Sequence, residues 1–364
     1  MMKFAIAPDS YKGSLSSIEV ADAIAAGIGP SHECVLCPLA DGGEDSTVVL
    51  ERHIKPSRWI ACTNNDMPAV EIPVFGLDGR SAVFIESARL IGLHHPDMTC
   101  LPIQRRGSAA LGRAMADALE YGIETIVVAL GGTATHDAGL GLLAALGARF
   151  LDASGRPVTE DLDGLMAVEA VDISRLRRFV ETQLIVLCDV ETPLTGPEGA
   201  TRVFAPQKGL TANEIESVEA AVERLAGFCV LSGGPGSNTP RTGAAGGLGF
   251  ALALLGGRLV SGADWIIDRC GLARFLAGAD WLITGEGRSD AQTLAGKLPL
   301  RAARLANELG VRSALISGSI DPAVADALER WFERQYAAAS PEGRPATAER
   351  ISEVAAGLTR ALGN

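Results

Sequence analysis

Short stretches mixing acidic, hydroxyl, glycine and basic residues recur in this sequence, most of them just after an apolar run. They are Asp9-Ser10-Tyr11-Lys12-Gly13-Ser14, Asp41-Gly42-Gly43-Glu44, Gly131-Gly132-Thr133-Ala134-Thr135-His136-Asp137, Cys188-Asp189 and Thr284-Gly285-Glu286-Gly287-Arg288-Ser289-Asp290. Ala205-Pro206-Gln207-Lys208-Gly209 and Gly296-Lys297 add cations in turns. In open α/β sheets, ligands sit just beyond the carboxyl ends of the strands, where helix N-termini offer N–H groups to anions. A carboxylate at a strand end beside a lysine suits phosphoryl transfer, where positioning and charge neutralisation do most of the catalysis.

Each stretch also has a plainer reading. A turn with a helix cap accounts for Ser10 and Gly13 but leaves Lys12 unexplained. Asp41 and Glu44 read either as cation ligands or as an acidic helix start favoured by the macrodipole. Gly131, Gly132, Thr133 and Thr135 are what a phosphate cradle needs, whereas Asp137 reads equally as a cap and His136 as a structural histidine. Glu286, Arg288 and Asp290, packed among glycines, exceed what a turn requires. The usual nucleotide signatures are missing: there is no G-x-x-x-x-G-K-[ST], no H-R-D and no D-F-G. Gly139-x-Gly141-x-x-Ala144 fits the dinucleotide spacing but lies in a Leu-rich helical run, which reads as packing. The glycines of 232–257 suit either a nucleotide-facing loop or a close helix contact.

To position such loops the chain needs alternating strands and helices. Strands are expected at Lys3–Ala7, Cys34–Pro38, Thr125–Leu130, Gln183–Cys188, Trp281–Thr284, Val311–Ser317 and Gln335–Ala338. Helices are expected near Ser17–Ile28, where Ser16-x-x-Glu19 reads as a capping box, and near Glu44–Arg52, Gly107–Tyr121, Gly139–Leu146, Ala212–Ala226, Leu298–Leu309 and Pro322–Phe332. Arg58–Cys62, Val70–Phe75 and Ser81–Glu86 read as antiparallel neighbours, with Leu77-Asp78-Gly79-Arg80 as a hairpin turn. Ser340–Thr347 reads as a loop before a terminal helix. At 364 residues two domains are the default. The fold expected is α/β, with a Rossmann/flavodoxin-like parallel domain built from both chain ends (1–55 and 278–364) and an inserted mixed α/β domain (56–277).

The net charge of −12 and the lack of a basic run argue against nucleic-acid binding. Seven scattered cysteines read as reduced thiols, with the C-x-x-C at Cys34 and Cys37 as core packing. The N-terminus runs straight into a strand, unlike a signal peptide, and no uncharged apolar stretch is long enough to span a bilayer. These points place the chain in the cytoplasm and away from membranes.

Taken together and in order, the loops resemble the glycerate kinase family of bacterial glycerate and glyoxylate metabolism. Ala5–Ser14, Ala40–Glu44, Gly131–Asp137, Cys188-Asp189, Thr195–Pro197, Pro206–Gly209, Gly243–Gly247, Ile283–Arg288, Asp290 and Gly296-Lys297 carry the likeness. His136, Ala138 and Ala205 depart from it, standing where Asn, Gly and Gly are usual. The resemblance implies two α/β domains with the active site in the cleft between them, ATP and Mg²⁺ as cofactors, and phosphorylation of D-glycerate at the 2-hydroxyl. On that reading Lys12 or Arg288 holds the substrate carboxylate. Lys208 or Lys297, with Mg²⁺, meets the charge on the transferred group. Asp189 orients or deprotonates the hydroxyl, with Asp290 and Glu286 as alternatives, and Asp189 and Asp41 are the candidate metal ligands. Asp9, Ser10, Asp41, Gly42, Gly43, Gly131, Gly132, Thr133, Thr135, Glu286, Arg288 and Lys297 are expected to contact substrate or nucleotide. A kinase forming 3-phosphoglycerate, a phosphatase or isomerase of a small phosphorylated hydroxy acid, and a sugar-acid sensor are the rival readings. Oligomeric state is left open.

Overall fold

A computed structural model describes residues 1–64, 67–177, 179–230, 233–339 and 345–362. Residues 340–344 of the expected loop and residue 232 at the head of the glycine segment lie outside the described residues. The chain divides into two compact units. One comprises Met1–Asp41, Val48–Ile54 and Ala263–Asn364; the other comprises Gly42–Thr47 and Lys55–Gly262. Residues 263–277, placed in the inserted domain from the sequence, cluster with the first unit, where the helix Leu272–Leu276 packs on Leu298–Glu308.

The first unit holds a five-stranded sheet with the spatial order Glu33–Leu36, Lys3–Ile6, Trp281–Thr284, Arg312–Ser317, Arg334–Ala337. Every pairing is parallel, with Phe4 opposite both Cys34 and Trp281. Counted along this unit's own chain the order is 2-1-3-4-5. That is the flavodoxin-like arrangement, which resolves the two options left open by the sequence, and its switch point lies between Lys3–Ile6 and Trp281–Thr284. Phe4, Ile6, Trp281, Ile283, Ala314 and Ile316 are all buried, the near-continuous apolar pattern of strands covered on both faces. The helix Ser17–Ile28 begins with the expected capping box: Ser16 Oγ accepts from the Glu19 N–H, and Glu19 accepts from the Ser16 N–H. It packs against the terminal helix Ala348–Leu362.

The second unit holds a mixed six-stranded sheet in the order Arg258–Val260, Gln183–Leu187, Thr125–Ala129, Arg80–Glu86, Met67–Leu77, Arg58–Asn64. The last two pairings are antiparallel and the other three parallel. The hairpin turn falls where expected, with Asp78 and Gly79 both at positive φ (50° and 77°), as a two-residue primed turn requires. Leu111, Met115, Leu140 and Leu142 bury the sheet's core residues Val83, Ile85, Ile126, Val128, Leu184 and Val186. Cys34 packs against the first unit's core and Cys37 is buried, and all seven cysteines are free thiols. Among the described residues no helix is long and apolar enough to cross a membrane.

Candidate active site

The loops at the first unit's switch point enclose a cavity of about 440 Å³, lined by Asp9, Ser10, Lys12, Asp41, Glu286, Arg288, Asp290 and Lys297 among others. Hydrogen bonds tie the loop after Ile6 to its neighbours; among them the Asp9 N–H donates to Gly285 O (2.9 Å), and the buried Tyr11 hydroxyl donates to Ile316 O (2.5 Å). Gly285 has no room for a side chain, since a Cβ there would stand 1.6 Å from Ile316 O. Gly285→Ala should therefore force the backbone apart and cost at least about 2 kcal/mol in chemical denaturation; an unchanged midpoint and slope would contradict the packing described.

Charge in this cavity is closely paired. Lys12 Nζ lies 3.2 Å from Asp41 Oδ2, with the lysine side chain 74% exposed. Lys297 Nζ lies 3.7 Å from Glu286 Oε2 and 3.9 Å from Asp290 Oδ1. Arg288, well exposed, reaches Asp290 at 3.9 Å and Asp321 at 3.7 Å. Asp290 caps the short helix Ala291–Leu294, accepting from the Gln292 N–H at 2.9 Å. Glu286 Oε1 accepts from the hydroxyls of Thr293 (2.5 Å) and Ser289 (3.2 Å). Burial raises the Glu286 carboxyl above its usual range, with Lys297 offsetting part of the effect. Burial pushes Asp9 up well above the carboxylate range, and the charge of Asp41 adds to it.

A second, smaller cavity of about 160 Å³ lies in the second unit. Gly131, Gly132, Thr133, Asp189, Gln207 and Lys208 line it together with Leu93, Leu130, Val190 and Phe204. Asp189 follows the strand Gln183–Leu187 and is exposed, its Oδ1 accepting from Ser261 Oγ at 2.7 Å. Lys208 sits in the single turn Pro206–Lys208, 6% exposed, and its Nζ donates to Thr135 O at 2.7 Å. Arg106 fixes that turn by donating to Lys208 O at 3.1 Å and to Leu101 O at 2.9 Å.

Burial lowers the Lys208 ammonium to about 7; Asp137 opposes the shift and Arg106 adds to it. Between pH 7 and the unfolded lysine value near 10.5, the unfolded chain holds a proton here that the folded chain has lost. Stability from this group therefore rises with pH across that window and is level below it. Thermal melts should show wild type gaining on Lys208→Met between pH 7 and about 10; parallel curves would contradict the assignment.

Some residues picked from the sequence serve the scaffold. Thr135 is fully buried, and its part in the site is the carbonyl that receives Lys208. Asp137 behaves as the cap reading expected: its carboxylate accepts from the Ser108 N–H and Oγ and from the N–H groups of Gly139 and Gly141. His136 is buried, with Nε2 3.2 Å from Thr201 Oγ1, and burial depresses its imidazole to about 3, so it stays neutral. Gly139 meets Ala251, where a Cβ would come within 2.3 Å, so that glycine run is packing, as read. In 243–247, Ala245, Gly246 and Gly247 all have positive φ; a Cβ on Gly246 would stand 2.4 Å from Thr135 O, while Ala244 and Ala245 line the second cavity.

Asp9, Ser10, Lys12, Asp41, Glu286, Arg288, Asp290 and Lys297 are thus brought together in the first unit. Gly131, Gly132, Thr133, Asp189 and Lys208 are brought together in the second. Gly42 and Gly43 belong to the second unit and lie against Gly131, whose N–H donates to Gly42 O at 3.2 Å. One residue absent from the sequence reading of the site, Glu86, is buried at the end of a strand and bonded to Asp45 and Thr47, just after these glycines in sequence. Its signal was the one that singled out Asp189, a carboxylate closing an apolar strand.

A flavodoxin-ordered sheet with charged loops at its switch point, joined in one chain to a mixed sheet with its own strand-end cavity, defines a two-unit α/β protein with a loop-lined cavity in each unit. Residues 4–363 match the model of the glycerate kinase family. The chain is 37% identical to a glycerate kinase of Bacillus subtilis strain 168 over 332 residues, covering 88% of this chain and 85% of that one. It is 35% identical to the glycerate 2-kinase of Escherichia coli K12 over 343 residues, covering 88% and 86%. A crystal structure assigned to glycerate kinase 2 from Salmonella typhimurium LT2 superposes with a TM-score of 0.80 at 34% identity, covering 100% of this chain and 98% of that one. The chain belongs to the glycerate kinase family.

Proposed function

We propose that this protein transfers the terminal phosphoryl group of ATP to the 2-hydroxyl of D-glycerate. The observation that carries this reading is a buried lysine and a strand-end carboxylate, Lys208 and Asp189, facing one small cavity in a member of this family. The name of the Escherichia coli relative supports the choice of hydroxyl.

Asp189 is the carboxylate assigned to the attacking hydroxyl. Its two rivals line the first unit's cavity, Asp290 capping a helix and Glu286 holding two hydroxyls and Lys297, whereas Asp189 lines the same cavity as Lys208. Lys208 supplies positive charge to the transferred group, held in place by Thr135 O and the Arg106-braced turn. Lys297, shared between Glu286 and Asp290, is the less available cation. Either Lys12 or Arg288, the exposed cations of the first unit's cavity, suits an anionic group of a ligand bound there.

Among the described residues no group of three or more His, Cys, Asp or Glu side chains forms a metal cage. That fits Mg²⁺ carried with a nucleotide, which keeps several waters and takes only one or two protein carboxylates beside the phosphates. Asp41 in the first unit and Asp189 in the second are separate candidates to hold it, and the ion would neutralise phosphate charge. The test is ADP release by the purified protein with ATP and Mg²⁺. Release that depends on D-glycerate supports the reading, and release indifferent to glycerate overturns it.

A further inference from the structure

Glu86 ends the strand Arg80–Glu86, between Met67–Leu77 and Thr125–Ala129, and is 6% exposed. Its Oε1 accepts from the Asp45 N–H at 3.0 Å; its Oε2 accepts from the Thr47 N–H at 2.9 Å and from Thr47 Oγ1 at 2.7 Å. All three donors lie in Gly42–Thr47, a six-residue piece of the second unit flanked in sequence by first-unit residues. Asp45 has φ 66°, a left-handed conformation that Asp enters more readily than most residues bearing a Cβ but less freely than glycine. Gly42 has φ 84°, and a Cβ on it would come within 3.2 Å of Gly262 Cα and of Leu187 Cβ. On Gly131 a Cβ would stand 2.4 Å from Gly43 Cα.

The double-glycine loop is therefore laid backbone to backbone on the loop that lines the second cavity. The backbone beside it is held in a conformation that survives only where its surroundings over-determine it. A buried carboxylate taking two amides and a hydroxyl does that, and the sheet holds the carboxylate itself. A solvated turn would not need such an acceptor, and a carboxylate serving the core alone would not place its partners at one loop–helix junction, Asp45 in the loop and Thr47 in the first turn of the helix Ser46–His53.

We propose that Glu86 is a positioning residue of the phosphoryl-transfer site, fixing Gly42–Thr47 against Gly131 and Gly132 without touching the reacting groups. The kinetic part of this inference rests on the function proposed above; the structural part does not.

The experiment pairs Glu86→Gln with Asp45→Gly and with the double variant. Glutamine keeps the shape but turns an amide NH₂ toward a donor. We expect amide hydrogen exchange at Asp45 and Thr47 to quicken by about tenfold or more, and kcat to fall on the order of 10²-fold through misplacement of the loop. Asp45→Gly alone should stay within about twofold of wild type, because glycine adopts this φ freely. In the double variant it should recover part of the lost kcat, because the strain at position 45 is relieved although the Glu86 hydrogen bonds are not replaced. Loss without recovery would overturn positioning in favour of direct contact or core support. Unchanged exchange at both amides would also overturn it. If wild type proves unable to phosphorylate glycerate, the exchange result decides the positioning claim alone. Should Glu86→Gln fail to fold, Thr47→Val removes one of the three donors, and the same exchange measurement at Asp45 and Thr47 decides in the same way.

Discussion

Asp189→Asn is expected to lower kcat by about 10²–10⁴-fold while changing KM for glycerate by little. Asparagine keeps the size and one acceptor, so the hydrogen bond from Ser261 Oγ can persist and the strand end should hold its shape. What disappears is the charge that draws a proton from the hydroxyl as it attacks. That interaction strengthens only in the transition state, so its loss falls on kcat and not on binding. A variant with near-wild-type turnover would remove Asp189 from the role and return attention to Glu286 and Asp290.

The second large effect is expected from Lys208→Met, a drop in kcat of about 10²–10³-fold, the usual consequence of deleting one preorganised partner of developing charge. Burial makes this lysine costly to keep as a cation, and its pKa, lowered to about 7, leaves it only partly protonated near neutral pH in the free protein. An anion arriving beside it should pull that value back up, so ligand binding should take up a proton near neutral pH. Calorimetry of ATP binding in buffers of different ionisation enthalpy would show it. Wild type should absorb a fraction of a proton on binding, and Lys208→Met should absorb none. Equal enthalpies across buffers for both proteins would separate Lys208 from the bound anion.

The regular parts of the fold were legible because they carry a period. Ser17–Ile28 was read with its boundaries correct, helped by Ser16 and Glu19, and Trp281–Thr284 likewise, helped by four consecutive buried residues. Arg149–Leu151, Ala170–Asp172 and Arg258–Val260 were missed, being three residues each and too short to show alternation. The helices Gly262–Cys270 and Leu272–Leu276 follow one another across a single residue, Gly271, and no element is expected there from the sequence. That hid the return of the chain to the first unit near Ala263.

At the site, the glycine, acid and lysine loops stood out because such residues are poorly explained as turns. Individual duties did not. Thr135 and Thr133 look alike in sequence, yet Thr133 lines a cavity while Thr135 offers only its carbonyl, to Lys208. Asp290 and Asp189 both follow strands, and only the hydrogen bond to the Gln292 N–H shows that one of them is a cap. Glu86 passed unnoticed because its partners, Asp45 and Thr47, are about forty positions away, and no local pattern reports a contact at that separation.

The central claim is that these loops serve a phosphoryl transfer to a small hydroxy acid. A phosphorus NMR spectrum of the purified protein incubated with ATP, Mg²⁺ and D-glycerate tests it most directly. The account predicts that the signal of the ATP terminal phosphate is replaced by those of ADP and a phosphomonoester whose phosphorus couples to a single proton, that on carbon 2. Inorganic phosphate alone would contradict it, and a monoester coupled to the two protons of carbon 3 would keep the transfer but overturn the choice of the 2-hydroxyl.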